Sequence, residues 1–222
     1  MKAEILYRRC LYFYKNHRGS GLVQSEFDKV VLMDICKIIC LVKSNYLMNN
    51  KEDVLHHVEN VAEIAVELAK VYNLDTEKIK LAAYLHDISG IMTPQEMYDA
   101  AIMHSLKIDA AEEKYHSLLH QRISRIIARE EYGIIDFDIL NAIECHTTLK
   151  KNASLYDKVI FIADKLSWDK TLASELNHIL KNENEESLNK ACYLYLKYQF
   201  DNNLLVMPHQ WILEAYDDLR KD

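Results

Sequence analysis

Six metal-capable side chains of this chain fall near helix ends or within helices that should pack together, in an ordered series: His57, His86 with Asp87, His120, His146 and Asp164. Imidazole nitrogen and carboxylate oxygen together make a donor set suited to iron or manganese, and less to calcium or magnesium alone. The adjacent pair His86-Asp87 closes the apolar string LAAYLHD. With ten His and sixteen Asp in 222 residues, about one such dipeptide is expected by chance, so the pair alone decides nothing. Asp164 says more. It follows Val159, Ile160, Phe161, Ile162 and Ala163, a run with every reason to be buried. A buried carboxylate is costly unless it is paired or bound to a cation.

These residues need elements to bring them together, and the patterning supplies helices. Over 54–72 an apolar stripe of Val58, Val61, Ala62, Ala65, Leu68, Ala69 and Tyr72 opposes a wet face of Glu59, Glu63 and Glu67, with His57 near the start. Asn73 ends that helix, and Asp75 caps the next, which carries His86 and Asp87 to its end before Gly90. Thr93-Pro94-Gln95-Glu96 is a capping box with Pro at the first helical position, and Asp109 with Glu112 is a similar start. The periodic segment 118–133 begins near His120 and stops at Gly133. Asp136 or Asp138 caps a helix towards Cys145 and His146. Ser154 and Asp157 open SLYDKVIFIADKLSW, which holds Asp164. Further helices are expected at 185–200 and 209–220. Upstream, helices at 1–16 and 25–43 flank the flexible string NHRGSG. The reading is all-α, one domain of nine to eleven helices, with 1–50 a helical extension packed on a core of 51–222.

Composition narrows the class. Four Gly and two Pro are too few turn formers for a sandwich or barrel. The net charge of -7, with no dominant Lys/Arg cluster, argues against a nucleic-acid surface, so a polyanionic ligand needs a metal or a local basic pocket. Five Cys without a Cys-x-x-Cys pair fit free thiols in a reducing cytosol, and Cys36 and Cys40, one turn apart, read as small buried hydrophobes. MKAEILYRRC lacks the apolar core and cleavage site of a signal peptide. The most apolar run, VVLMDICKIICLV, is too short and too charged to span a membrane. The expectation is a cytoplasmic protein with no membrane partner.

In its order of residues, His…His-Asp…His…His…Asp on successive helices, the chain resembles the HD-domain metal-dependent phosphohydrolases. Three strings, HHVENVAEIAVELAKVYNLDTEKIKLAAYLHDIS, SLLHQRISRIIAREEYGI and ILNAIECHTTLKKNASLYDKVIFIADKL, resemble the bacterial HD-type symmetrical diadenosine tetraphosphate hydrolases over about 54–170. The resemblance implies that His57, His86, Asp87 and Asp164 hold one metal ion and His120 and His146 a second, with Asp87 bridging and serving as the catalytic carboxylate. Iron is the expected metal and manganese the alternative. The implied reaction is hydroxide attack on phosphorus of a small nucleotide, a dinucleoside tetraphosphate first. A nucleoside monophosphate, a phosphorylated metabolite, or a nucleotide-binding module without turnover are the other readings. A homodimer is also implied. The chain departs from the pattern where those hydrolases carry Lys three residues after the HD aspartate, since Ser89-Gly90 stands there. It departs again where they carry Gly-Arg after His-Thr-Thr, since Leu149, Lys150 and Lys151 stand there. Thr147, Thr148, Lys150 and Lys151 are candidate substrate contacts. Lys can replace Arg as a point charge but not as a bidentate fork. His56 is the neighbour alternative to His57, and His116 lies one turn before His120.

Overall fold

The structure, a computed structural model, describes the backbone of residues 24–220 and side chains from Ile35 onward. The helix expected at 1–16, the NHRGSG string and Cys10 lie outside the described residues. Among the described residues there are eleven α-helices, two short 3-10 turns and no strand, so the all-α reading holds. No helix there is long and apolar enough to cross a membrane.

The first helix, α1 (Gln24–Met48), runs past the expected end and stops before Asn50, which adopts a left-handed φ of 53°. Its buried stripe is Ile35, Ile39, Val42 and Tyr46. That 3–4 spacing turns Cys36 and Cys40 about 100° off the buried stripe, so both are exposed rather than buried as their type suggested. Helix α2 (Glu52–Val71) buries Val58, Val61, Ala62, Ala65 and Ala69, the stripe read from the sequence. Asp75 caps α3 (Thr76–Leu85) by accepting from the N–H groups of Glu77 and Lys78. A 3-10 turn, Ile88–Ile91, follows directly on Asp87. Both expected capping boxes form, Thr93/Glu96 on α4 (Pro94–Met103) and Asp109/Glu112 on the short α5 (Ala110–Lys114). A second 3-10 turn, His116–Leu119, leads into α6 (His120–Glu130), and Gly133 takes a φ of 70° after it.

Asp136 caps α7 (Phe137–Glu144), and Ser154 with Asp157 forms the box that opens α8 (Leu155–Trp168). Helix α8 is the central post. Every residue from Asp157 to Leu166 is buried, and α2, α3, α7, α9 and α10 all pack against it. Helix α9 (Ala173–Leu180) was not expected from the sequence. It has no side-chain cap, and its only signal is Leu172, Leu176 and Leu180 at four-residue spacing, all buried. Helices α10 (Glu185–Asp201) and α11 (Gln210–Leu219) complete the chain.

Polar ties fix helix directions. Lys78 near the start of α3 pairs with Asp136 and Asp138 at the start of α7, at 2.8 and 3.0 Å. The N–H of Asp75 donates to the Tyr156 hydroxyl at the start of α8. Thus α3, α7 and α8 run side by side in the same sense, and their C-terminal ends meet at the other side of the bundle. The N-terminal parts of α2 and α6 come to that same place.

Candidate metal centre

At this junction the six residues converge through their metal-capable atoms. His57 Nε2 lies 3.2 Å from His86 Nε2 and 3.1 Å from Asp164 Oδ1. His120 Nε2 lies 3.0 Å from His146 Nε2. Asp87 sits between these two groups and divides its carboxylate. Oδ2 faces His57 and His86 at 3.6 and 3.5 Å, while Oδ1 faces His120 and His146 at 3.6 and 3.3 Å. Two sets, His57/His86/Asp164 and His86/Asp87/His146, have ligand atoms close enough to share one ion.

The helix ends explain the orientation. The last carbonyls of a helix lack intrahelical partners and carry partial negative charge. His86 Nδ1 donates to Ala83 O at 2.6 Å in the last turn of α3, and His146 Nδ1 donates to Ile143 O at 2.8 Å in the last turn of α7. His120 Nδ1 donates likewise to Ser117 O at 2.7 Å. His57 Nδ1 meets Ser167 Oγ at 3.2 Å, and that hydroxyl already gives its proton to Asp164 O, so it accepts from His57. A carbonyl or an already donating hydroxyl takes only an N–H, so all four rings carry a proton on Nδ1 and turn Nε2 inward. Four Nε2 atoms at 3.0–3.2 Å pairwise, with two carboxylates, form a donor set that a cation can gather. The residues could hold divalent metal.

Electrostatics agree. Burial works to raise the Asp87 carboxyl, but the surrounding imidazoles, His86 foremost, hold it well below the usual carboxylate range. Burial works against Asp164 in the same way, and Lys165 with His57 overrides it, keeping that carboxyl ionised. Burial pushes the His146 imidazole down to about 4, and the neighbouring His86 and His120 rings add to this against the pull of Asp87. For His57 the burial penalty is outweighed by Asp164 and Asp87, and its imidazole is raised.

Three residues that build this site were not anticipated. Lys165, 4% exposed, donates to Asp164 Oδ2 at 2.7 Å and to the carbonyl of His146 at 3.2 Å, with its Nζ 5.0 Å from the Phe161 ring. A Lys inside the apolar run KVIFIADKL was the available signal. Gln121 is fully buried, and its Oε1 accepts from the N–H groups of Thr147 and Thr148, fixing the turn after His146. Ser167 orients His57. The partners of Gln121 and Ser167 are distant in sequence, so no local pattern announced them.

The proposed substrate contacts are spread out. The Thr147 hydroxyl lies at the centre, 2.9 Å from His120 Nε2. Thr148 is buried and bonded to Gln121 and to the Leu149 carbonyl. Lys150 turns to Asp157, at 3.4 Å, near the start of α8 and away from its site end, and Lys151 is exposed. His56 is exposed on α2, beside His57. His116 stacks on Tyr98 at 4.1 Å. Arg122 and Arg125 pair with Glu112 and Glu144.

Ser89 and Leu149 show how the two departures are accommodated. The Ser89 hydroxyl donates to His120 O at 2.9 Å and accepts from Ser124. Leu149 adopts a left-handed φ of 56° while fully buried, a conformation that favours Gly.

A family model described as HD domain matches residues 54–169. The chain belongs to the HD-domain family and is a phosphohydrolase of that superfamily. Among its relatives is a symmetrical bis(5'-nucleosyl)-tetraphosphatase of Staphylococcus aureus, 34% identical over 139 residues, which are 62% of this chain and 71% of that protein. A protein of the same name from Halalkalibacterium halodurans is 40% identical over 108 residues, 49% of this chain and 57% of that one. A solved structure of a predicted HD superfamily hydrolase involved in NAD metabolism, from Clostridium acetobutylicum, aligns with a TM-score of 0.74 at 28% identity, covering 81% of this chain and 95% of that one.

Proposed function

We propose that this chain hydrolyses a small nucleotide, with a dinucleoside tetraphosphate as the first candidate, at a centre of two iron or manganese ions held by His57, His86, Asp87, Asp164, His120 and His146. The divided carboxylate of Asp87 carries this reading, because its two oxygens address two separate groups of ligands. Such a pair of ions supplies Lewis acidity, an activated water and positive charge for phosphate oxygens. The chain's own residues prepare for that role. Asp87 and Asp164 stay ionised, the imidazoles present Nε2, and the burial of His86, His146 and Asp164 keeps one side of the centre dry. Thr147 is placed to donate to a phosphate oxygen near His120. The tetraphosphatase names of the relatives support the substrate class.

A second reading, another phosphoester such as a nucleoside monophosphate, is favoured by one observation: Lys150 is engaged by Asp157 rather than turned towards the centre. One experiment addresses both. Elemental analysis of the purified chain should find about two transition-metal ions per molecule, and a nucleotide panel should show the highest turnover on dinucleoside tetraphosphates. His86→Ala should lose metal and turnover together. Metal-free protein that still turns over nucleotides would sink the metal reading, and preferential turnover of a monophosphate would shift the substrate to the second reading.

A further inference from the structure

Lys165 raises a question that the ligand set leaves open. It stands in a dry slot, 4% exposed, against Phe161 and Tyr195, with its Nζ on the outer oxygen of Asp164 and on the His146 carbonyl. A thioether of similar length would fill that slot without the penalty of desolvating a charge. The ammonium therefore does something that packing does not require. It touches one residue from each of the two ligand groups: Asp164, whose inner oxygen faces His57, and His146, whose ring faces His120.

We propose that Lys165 is a positioning and charge-setting residue that draws off part of the negative charge of Asp164, so that the metal centre stays more cationic towards an anionic substrate. The inference rests on the metal-centre reading above. Two divalent ions against the carboxylates of Asp87 and Asp164 leave two positive charges; Lys165 makes it three. In a chain of net charge -7, that local excess is what a phosphate would meet.

The sign of its effect on metal binding is set by two opposed contributions. The hydrogen bond to Asp164 orients a ligand, and losing such a partner typically weakens metal binding about 10–100-fold. The ammonium also repels a divalent cation held by the same carboxylate. At an effective dielectric of about 20 and a separation of about 6 Å, that repulsion is on the order of ten-thousandfold before screening. Repulsion wins, so removing the charge tightens metal binding. A purely structural lysine gives the opposite result.

The test uses the full chain as wild type, Lys165→Met and Lys158→Met. Lys158 is a buried lysine of the same helix, paired with Glu185 at 3.9 Å, and serves as control. Mn(II) binding is followed by the paramagnetic resonance of the free ion, and inorganic phosphate binding to the Mn-loaded chain by calorimetry. Lys165→Met should hold Mn(II) about tenfold or more tighter and phosphate about tenfold weaker, while Lys158→Met changes the melting temperature and neither affinity. Unchanged or weaker Mn(II) binding in Lys165→Met, or unchanged phosphate binding, overturns the inference. Should the Met variant fail to fold, Lys165→Gln, which keeps a donor without the charge, should move both affinities in the same directions. If wild type binds no Mn(II), the metal-centre reading itself fails and takes this one with it.

Discussion

Asp87→Asn tests the divided carboxylate, and the expected loss follows from counting donors. One group offers His57, His86, Asp164 and Asp87 Oδ2, and the other offers His120, His146 and Asp87 Oδ1. Structural zinc sites with four ligands bind with roughly 10–16 kcal/mol, about 3 kcal/mol per ligand, so one ligand is worth on the order of a hundredfold in affinity. The four-donor group should therefore keep its ion about a hundredfold more tightly than the three-donor group. An asparagine side chain has one acceptor oxygen, and its amide nitrogen can only donate. Asp87→Asn then removes an anionic donor from both groups, and its one neutral oxygen can turn to only one of them, so at least one group loses a ligand outright. The expected result is at most one ion per chain, held about a hundredfold more weakly than the tighter ion of wild type. Equilibrium dialysis against graded chelator, read by elemental analysis, measures both stages. An Asn variant that keeps two ions at wild-type affinity would show that the carboxylate does not bridge, and the two-group reading would fall.

Three further outcomes are expected. In the metal-free chain, His146 is held at about 4, below its ordinary value of about 6.5, so between those values the unfolded state binds the extra proton and stability falls as pH falls. His57, being raised, works the other way, so the clean comparison is with His146→Asn: its urea-unfolding free energy should drop less from pH 6.5 to 4, by up to about 3 kcal/mol, and equal slopes would refute the assignment. At position 149 the left-handed backbone reverses the usual order of small residues. A β-carbon there costs about 1–2 kcal/mol and the extra unfolded-state freedom of Gly about 0.5–1, so Leu149→Gly should be more stable than Leu149→Ala by about 1 kcal/mol in denaturant titration. A β-carbon at Gly90 would meet Val54 Cγ1 only at 3.5 Å, an ordinary contact, so Gly90→Lys should fold with a stability change within about 1 kcal/mol and lower KM for a dinucleoside tetraphosphate several-fold; an unchanged KM would mean that a base here does not grip phosphate.

Much of the fold was legible because its signals are local. Thr93, Asp109, Asp136 and Ser154 each bond a backbone N–H two or three residues ahead, and the stripe of α2 repeats every three or four residues. Helix α9 was missed because it starts on Leu172 without a cap. The cysteines of α1 are exposed because helical register, not residue type, sets which face they occupy. In the centre, the six candidate residues are visible as an order of residue types, whereas their supports are not. Ser167 meets His57 across 110 residues, and Gln121 meets Thr147 across 26. Such pairs exist only once the helices have packed.

The adjacency of His86 and Asp87 now has a mechanical cause. Consecutive side chains on a continuing helix point about 100° apart, which would send one of the two away from a shared centre. Here the helix stops between their tasks. His86 keeps helical dihedrals, φ -59° and ψ -34°, and its Nδ1 takes up a carbonyl that the end of α3 leaves without a helical partner. Asp87 leaves the helix, with φ -110° and ψ 19°, and its carbonyl accepts from the Gly90 N–H to start the 3-10 turn. That change of backbone lets the carboxylate stand between two ligand groups instead of following the helical spiral. Terminating α3 and placing the Asp87 carboxylate between the two His pairs are therefore one event. An inserted residue between 86 and 87 should disturb metal binding at both groups even though every ligand is still present.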